Sequence, residues 1–274
     1  MTRGLIHTIA LIGMLILAAG CSNFQKLLKS NNVDEKYKAA LQYYEKSDYY
    51  RANQLLEQVL PLMTGRQEAE QAKFYFANTY FQQSDYLLSA FHFRSFYDTY
   101  QRSPLAEEAL FMQAKSLYNQ APTYEQDQTS TLTALEALQE FQVRYPESKL
   151  NAEANTMIDA LNMKLDRKAF DNAKLYYQIR YYHSAVVALG NFIQEHASSP
   201  YSEEAAFLRL DAQFKFAQES VTSKQEERYM EAIAYYQSFV EQFPDSKYKR
   251  EAEKIYDNAL AELEKVKKLN QANS

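Results

Sequence analysis

Apolar residues recur through most of this sequence at the three- and four-residue spacing of an α-helix. Five segments share one pattern, in which an alanine is followed by apolar residues at several of the positions three, four and seven residues later. These spacings place the apolar side chains on a single face of a helix. Each segment is therefore predicted to bury one helical face, and the five alanines are Ala52, Ala90, Ala134, Ala185 and Ala232.

A second apolar helix precedes each of these segments, and an aromatic residue marks its last turns. In three segments the aromatic residue lies nine positions before the alanine, at Tyr43, Phe81 and Tyr176, and a short side chain lies three positions before it. This arrangement, with a proline after the second helix, resembles the tetratricopeptide repeat. In that repeat the alanine lets the second helix (helix B) approach the first (helix A) closely. The sequence therefore predicts a series of helix pairs.

Two of the pairs contain a longer polar stretch between their helices. In the third and fifth pairs the aromatic residue precedes the alanine by sixteen positions rather than nine. We expect two extended turns, at 119–131 and 219–229, that emerge on the same edge of the array and contact a partner. The alternative is that both descend from duplication of one long repeat and contact only solvent.

Prolines divide the chain into these pairs. Four of the 6 prolines lie in similar text, in which proline ends one helix and glutamate soon opens the next. Such recurrence is typical of a helical solenoid. The predicted fold is an all-α, right-handed α-solenoid of about five tetratricopeptide-like helix pairs plus a C-terminal capping helix. The predicted pairs are 33–63, 66–101, 105–145, 151–196 and 203–243, with a capping helix at 246–268, a repeat domain spanning 33–268 and a polar tail at 269–274.

The N-terminal residues have the pattern of an export signal. A basic start precedes an apolar run at 5–17, and small residues at 18–20 lead to the single cysteine, Cys21. The run is shorter than the ~20 residues that a transmembrane helix needs, so that interpretation is weaker. Small residues directly before a cysteine resemble the bacterial lipobox, in which the thiol is acylated. We predict a lipoprotein signal peptide at 1–20 and a lipidated linker at 21–32; the alternative is an ordinary signal peptide followed by an unrelated cysteine.

Composition supports a helical protein and argues against several classes of function. The chain has 5 glycines, and three of them, Gly4, Gly13 and Gly20, lie in the predicted signal. Dinucleotide-binding and β-rich folds need glycine for phosphate loops and for turns with positive φ. A net charge of -5 gives no electrostatic basis for binding nucleic acid. With Cys21 acylated, no thiol is left for a disulfide.

The sequence contains no catalytic or metal-binding pattern. His92, His183 and His196 have no second ligand at metal spacing and are interpreted as structural or surface residues. The acid pairs at 107–108 and 203–204 could suggest glycosidase carboxylates. Both follow a proline, however, so favourable charge at a helix N-terminus is the better explanation. We therefore expect no enzyme activity, no cofactor and no metal.

Aromatic residues are frequent, with 23 Tyr and 16 Phe, and several tyrosines form doublets. Adjacent positions on a helix point about 100° apart, so one ring of a doublet packs between helices and the other is left for a groove. Most of the rings are expected to form the core. Tyrosine is nevertheless favoured at interfaces, because it combines a large ring with a hydroxyl group. The candidate partner- and substrate-binding residues on the inner surface are Tyr37, Tyr44, Tyr75 and Tyr177.

The lipobox, the length of the remaining chain and the five helix pairs together resemble the BamD family, which are lipoproteins of the outer-membrane β-barrel assembly machinery. The resemblance is closest over 134–216. There the text ALEALQEFQVRYPESKLNAEA is similar to the end of the family's third repeat. The text AFDNAKLYYQIRYYHSAVVALGNFIQEHASSPYSEEA is similar to its fourth repeat.

This resemblance implies a scaffold that is lipid-anchored on the periplasmic face of the outer membrane. It implies that the C-terminal repeats bind the POTRA domains of a barrel-forming BamA subunit, and that other lipoproteins of the machinery are partners. It also implies that the N-terminal repeats bind unfolded outer-membrane proteins. The alternative is a generic tetratricopeptide scaffold lipoprotein that serves cell-wall or division proteins.

Overall fold

The computed structural model describes residues 23–272, and every regular element within that range is helical. The all-α fold class is therefore confirmed. A short 3-10 turn, Leu60–Leu62, follows the third helix. The helices are α1 (23–29), α2 (Val33–Glu45), α3 (Tyr49–Val59), α4 (Ala69–Gln82), α5 (Tyr86–Thr99), α6 (Ala106–Gln120), α7 (Thr129–Arg144), α8 (Asn151–Gln178), α9 (Tyr182–Glu195), α10 (Ser202–Gln218), α11 (Thr222–Gln242) and α12 (Lys249–Ala272).

The chain forms two compact units, each built from helices that pack on their neighbours in chain order. The first unit runs to Pro122 and includes Asp127–Ile158, and the second comprises Thr123–Gln126 and the residues from Asp159 onward. In the first unit α2 packs on α3, α4 on α5, and α6 on α7. In the second unit α10 packs on α9 and α11, and α12 covers both α10 and α11. This is the packing order of tetratricopeptide-like helix pairs.

The five alanines that define the sequence pattern all lie in tight helix contacts. Each is at most 5% exposed, and four of them have no exposed surface. Larger apolar side chains surround them, and in the first unit the ring of Phe74 lies 5.4 Å from Phe93 and 5.6 Å from Phe96. In the second unit Ala185 of α9 shares a core cluster with Phe170 and Ala173 of α8. The predicted buried faces are therefore confirmed.

Three of the turns between helices A and B are closed by one residue in the left-handed conformation. Ser47, Ser84 and Arg180 have φ values of 59°, 62° and 64°. These turns belong to the three pairs with the nine-residue spacing. Asp48 and Asp85 come next in two of them, and each carboxylate accepts a hydrogen bond from the backbone N–H three residues later. These aspartates are N-caps of the following helix.

The polar stretch 219–229 is not an extended turn, so that prediction is wrong. Helix α10 ends at Gln218 and α11 begins at Thr222, which leaves only three residues between them. The stretch contains no proline or glycine, and its Lys, Gln, Glu and Arg residues at 224–228 are good helix formers. The additional residues therefore lengthen helix B, and the prediction of two extended turns on one edge fails with them.

The stretch 119–131 does contain an extended turn, although it is shorter than predicted. Helix α6 continues to Gln120 and α7 begins at Thr129. Pro122 explains the difference from the fifth pair, because proline lacks the backbone N–H that a continuing helix would need. The turn is held against α8 by Lys168, whose ammonium group donates to the backbone carbonyls of Glu125 and Gln126.

Glutamates near the start of the A helices accept hydrogen bonds from serines in the turn that leads to the next helix. Ser148 Oγ donates to Glu107 Oε1 at 2.6 Å, and Ser246 Oγ donates to Glu203 Oε1 at the same distance. Ser103 makes the same contact with Glu70. The acid pairs therefore have a structural role between consecutive helix pairs, in addition to the favourable charge at a helix N-terminus.

We expect Ala185→Phe to destabilise the second unit. Ala185 has no exposed surface, so a phenyl ring there would force α8 and α9 apart and cost about 1–3 kcal/mol of unfolding free energy. Thermal or urea unfolding followed by circular dichroism measures the loss. Lys149→Phe at an exposed position is the control and should be nearly neutral. Equal destabilisation by the two substitutions would contradict the proposed register of the repeat.

Candidate functional site

Three of the four candidate tyrosines lie together on the A helices of the first two pairs. Tyr37 and Tyr44 project from α2, and Tyr75 projects from α4. The rings of Tyr44 and Tyr75 stack with centroids 4.5 Å apart and planes inclined by 28°. Gln71 and Asn78 of α4 complete the group, which we call the tyrosine ladder.

Hydrogen bonds connect the members of the tyrosine ladder across the two helices. The Tyr37 hydroxyl donates to Gln71 Oε1 at 3.3 Å, and Gln71 Nε2 donates to Tyr75 Oη at 3.3 Å. Asn78 Nδ2 donates to Tyr44 Oη. The Tyr44 hydroxyl therefore acts as an acceptor in this contact and keeps its hydrogen as a donor. The ladder thus combines stacked rings with amide and hydroxyl groups, and its three tyrosine side chains are half-buried.

The hydroxyl groups of Tyr37 and Tyr44 stay protonated throughout the physiological range. Burial, as the largest cause, raises the pKa of Tyr44 to about 12, although the hydrogen bond from Asn78 opposes the rise. Burial also raises the pKa of Tyr37, and the neighbouring Tyr75 and Glu68 add to the effect. A neutral tyrosine can both donate and accept a hydrogen bond, which suits contact with a polypeptide backbone.

The fourth candidate, Tyr177, lies apart from the ladder in the second unit. Its hydroxyl donates to Asp211 Oδ2, and Lys215 Nζ donates to Tyr177 Oη at 2.7 Å and to Asp211 Oδ2 at 2.6 Å. The Lys215 ammonium also lies 4.7 Å from the centre of the Tyr177 ring. This group, the charged triad of Tyr177, Asp211 and Lys215, holds α8 to α10.

Opposite charge keeps Lys215 protonated in the charged triad. Burial alone would lower its pKa, but the hydrogen bonds to Asp211 and Tyr177 raise the pKa of Lys215 to about 12. Burial raises the pKa of Tyr177 as well, and its contact with Asp211 adds to the rise. The triad therefore carries one positive and one negative charge beside a neutral ring.

The tyrosine ladder and the charged triad share one separation in sequence between a tyrosine and its partner on another A helix. The sequence interpretation did not identify this separation. Tyr37 and Gln71, Tyr44 and Asn78, and Tyr177 and Asp211 are each separated by 34 residues. The signal was available, because a polar residue lies 34 positions after Tyr37, Tyr44 and Tyr177. An amide follows in the first unit and a carboxylate in the second, so the two surfaces differ in charge.

The histidines have aromatic or carboxylate neighbours within the helix pairs. His92 stacks on Tyr80 with centroids 5.0 Å apart, and burial lowers the pKa of His92. His196 Nδ1 lies 2.7 Å from Asp166 Oδ1. Over residues 23–272 no group of three or more His, Cys, Asp or Glu side chains is arranged to hold a metal ion. Likewise, none of the helices in that range is long and apolar enough to cross a membrane.

The predicted acylation site cannot be placed in the fold. Cys21 and the predicted signal peptide, 1–20, lie outside the described residues. Lipidation of Cys21 therefore stays a prediction from the sequence.

We expect Lys215→Met to lower stability by about 1 kcal/mol near neutral pH, a value that allows for solvent screening of a side chain that is 35% exposed. The folded pKa of Lys215 is above the ordinary value of 10.5, so its contribution is complete below pH 10.5. The contribution is lost as the pH rises through about 12. Urea unfolding at pH 8 and at higher pH measures the difference from the unsubstituted chain.

The matched control for this prediction is Lys224→Met. Lys224 forms an ion pair with Glu227 in which both side chains are more than half exposed, so its removal should change stability little at any pH. A pH-independent effect of Lys215→Met, or an equal effect of Lys224→Met, would contradict the role assigned to the charged triad.

Comparison with known proteins gives two matches. A family model described as an outer membrane lipoprotein, YfiO, matches residues 29–186 and 167–266, which together are most of the chain. A curated protein of Caulobacter vibrioides, "Outer membrane protein assembly factor BamD", is 28% identical over 120 residues. That alignment covers 43% of this chain and 38% of the relative, so the chain spans well under half of that protein's length.

The family match extends from Lys29, the last residue of α1, into α12, and so includes both the tyrosine ladder and the charged triad. It confirms the resemblance to BamD-type lipoproteins that the repeat text indicates. The chain belongs to the YfiO family of outer membrane lipoproteins.

Proposed function

We propose that this chain is a lipid-anchored scaffold for the assembly of outer-membrane β-barrel proteins, with its helical repeats on the periplasmic side. The observation that carries the proposal is the family match over nearly all of the repeat region. The relative from Caulobacter vibrioides, named as an assembly factor, adds support over part of the chain. Cys21 would carry the acyl groups, and at least two lipid signals are needed for stable attachment.

The tyrosine ladder is the proposed site for unfolded barrel proteins. Such a substrate presents extended segments that alternate apolar or aromatic side chains with polar ones, and its backbone N–H and C=O groups are not yet paired. Stacked rings at Tyr44 and Tyr75 offer surface for an aromatic side chain. The amide of Gln71 and the hydroxyl groups offer partners for the backbone. Binding of this kind is weak and reversible, as transfer to another component requires.

The second unit is the proposed site for folded partners. These are a BamA-like barrel protein, through its POTRA domains, and other lipoproteins of the assembly machinery. The charged triad favours a partner that presents complementary polar groups, since the ion pair of Asp211 and Lys215 lies beside Tyr177. The C-terminal helices α11 and α12 extend the surface of this unit.

The proposed mechanism is binding without chemistry. The ladder and the triad consist of tyrosine, amide and paired charged groups, which hold and orient a polypeptide and do not activate a nucleophile. No cofactor is part of the proposal. The protein would act by keeping a substrate and the barrel-forming subunit in the same assembly, so that their effective concentration rises.

Affinity capture of the tagged, lipidated chain from detergent-solubilised envelopes tests this function. We expect a barrel protein with POTRA domains among the proteins recovered with the full chain. An untagged strain provides the background. Recovery of only peptidoglycan-synthesis or division proteins would contradict the proposal and support the generic scaffold lipoprotein instead.

A further inference from the structure

The segment that follows the predicted acylation site is a fixed part of the first unit. Residues 23–29 form α1, and its Phe24 is only 6% exposed. The ring of Phe24 meets the ring of Tyr43 edge-on at 5.6 Å, and the Arg51 guanidinium lies 5.4 Å from the Phe24 ring centre. Leu27 and Leu28 pack against the same core cluster. This segment lies in the stretch predicted as a linker.

The C-terminal end of α1 is also tied to the first helix pair. Lys36 Nζ of α2 donates to the backbone carbonyl of Leu28 at 3.2 Å and to Gln58 Oε1 of α3 at 2.6 Å. One lysine thus joins α1, α2 and α3. With both of its ends attached, α1 moves with the first helix pair.

The side of α1 that faces away from the core is polar and basic. Gln25, Lys26 and Lys29 are exposed. Lys26 and Lys29 are three positions apart, so they lie on the same face of the helix. Within residues 23–272 neither lysine forms an ion pair. We call these two residues, Lys26 and Lys29, the basic face of α1.

We infer that the basic face of α1 contacts the phosphate headgroups of the bilayer in which the chain is anchored. The inference rests on the proposed function, which places acyl chains on Cys21. Only Ser22 separates Cys21 from Asn23, the first residue that the structure describes, and two peptide units span at most about 7 Å. A helix adds about 1.5 Å per residue, so the Cα atoms of Lys26 and Lys29 lie within about 12 Å and about 16 Å of Cys21. Because salt screens charges beyond about 8 Å, the inference requires that α1 lies along the bilayer surface, where both lysines reach the headgroups.

The contact has a consequence for the position of the first unit. A protein on a long linker samples many distances from its membrane, whereas this one has its first helix pair fixed beside the bilayer. Each lysine near an anionic surface strengthens the contact by roughly fivefold. The ligand of this surface is thus lipid, because the phosphate headgroups attract the lysine side chains of α1.

Depth-dependent fluorescence quenching in nanodiscs tests this inference on the full lipidated chain. A fluorophore is attached to Gln25→Cys beside the basic face, or to the matched control Gln139→Cys on the exposed side of α7. The acylated Cys21 does not react with the label. With phospholipids that carry a nitroxide on the headgroup, we expect quenching at position 25 to exceed that at position 139 by about threefold or more when the nanodiscs contain phosphatidylglycerol.

Variants of Lys26 and Lys29 distinguish an electrostatic contact with the headgroups from simple proximity of α1 to the bilayer. The pair Lys26→Glu and Lys29→Glu should reduce the quenching at position 25 by about half or more, and 0.5 M salt should act in the same direction. The pair Lys26→Arg and Lys29→Arg should retain it. Equal quenching at positions 25 and 139, or no response to charge reversal, would overturn the inference. Mass spectrometry of the same samples reports acylation, so a chain without acyl groups would instead contradict the proposed anchor.

Discussion

The close approach of helices at five buried alanines is the constraint on which the rest of this structure depends. A larger side chain at Ala52, Ala134, Ala185 or Ala232 would separate the two helices of a pair, because each of these positions has no exposed surface. The surrounding aromatic residues can reach their neighbours only at that separation. The buried alanines therefore set the distance between the two helices of a pair. That distance determines the register in which exposed side chains meet.

The two proposed binding surfaces result from this register. Residues separated by 34 positions come into contact on adjacent A helices, as Tyr44 and Asn78 do in the first unit and Tyr177 and Asp211 do in the second. The fold needs only that these pairs be compatible in size and polarity. Their chemistry can therefore differ between units, with neutral amides in one and an ion pair in the other, while the helices keep the same arrangement.

The helices, the buried alanines and the family were predictable from the sequence, because helical periodicity and proline positions report local structure directly. Three features were not. Residues 219–229 are polar but favour a helix, so polarity alone wrongly indicated a turn. The packing of Phe24 depends on Tyr43 and Arg51, which are distant in sequence, so α1 was mistaken for linker. The partners of Tyr37, Tyr44 and Tyr177 lie 34 residues away on another helix, so local periodicity does not reveal them, and Tyr177 belongs to a different unit from the other three candidates.

The central claim is that the tyrosine ladder binds extended segments of unfolded barrel proteins, and peptide titration tests it most directly. The ligand is a labelled peptide with the sequence of a barrel strand that ends in an aromatic residue, and fluorescence anisotropy gives its Kd. We predict that Tyr37→Ala with Tyr75→Ala raises the Kd by about tenfold or more, since contacts with tyrosine rings dominate such surfaces. Tyr50→Ala, at a tyrosine on α3 that is 62% exposed, should leave the Kd unchanged. If the ladder variant keeps its helical circular dichroism and binds the peptide as tightly as the unsubstituted chain, the claim is contradicted.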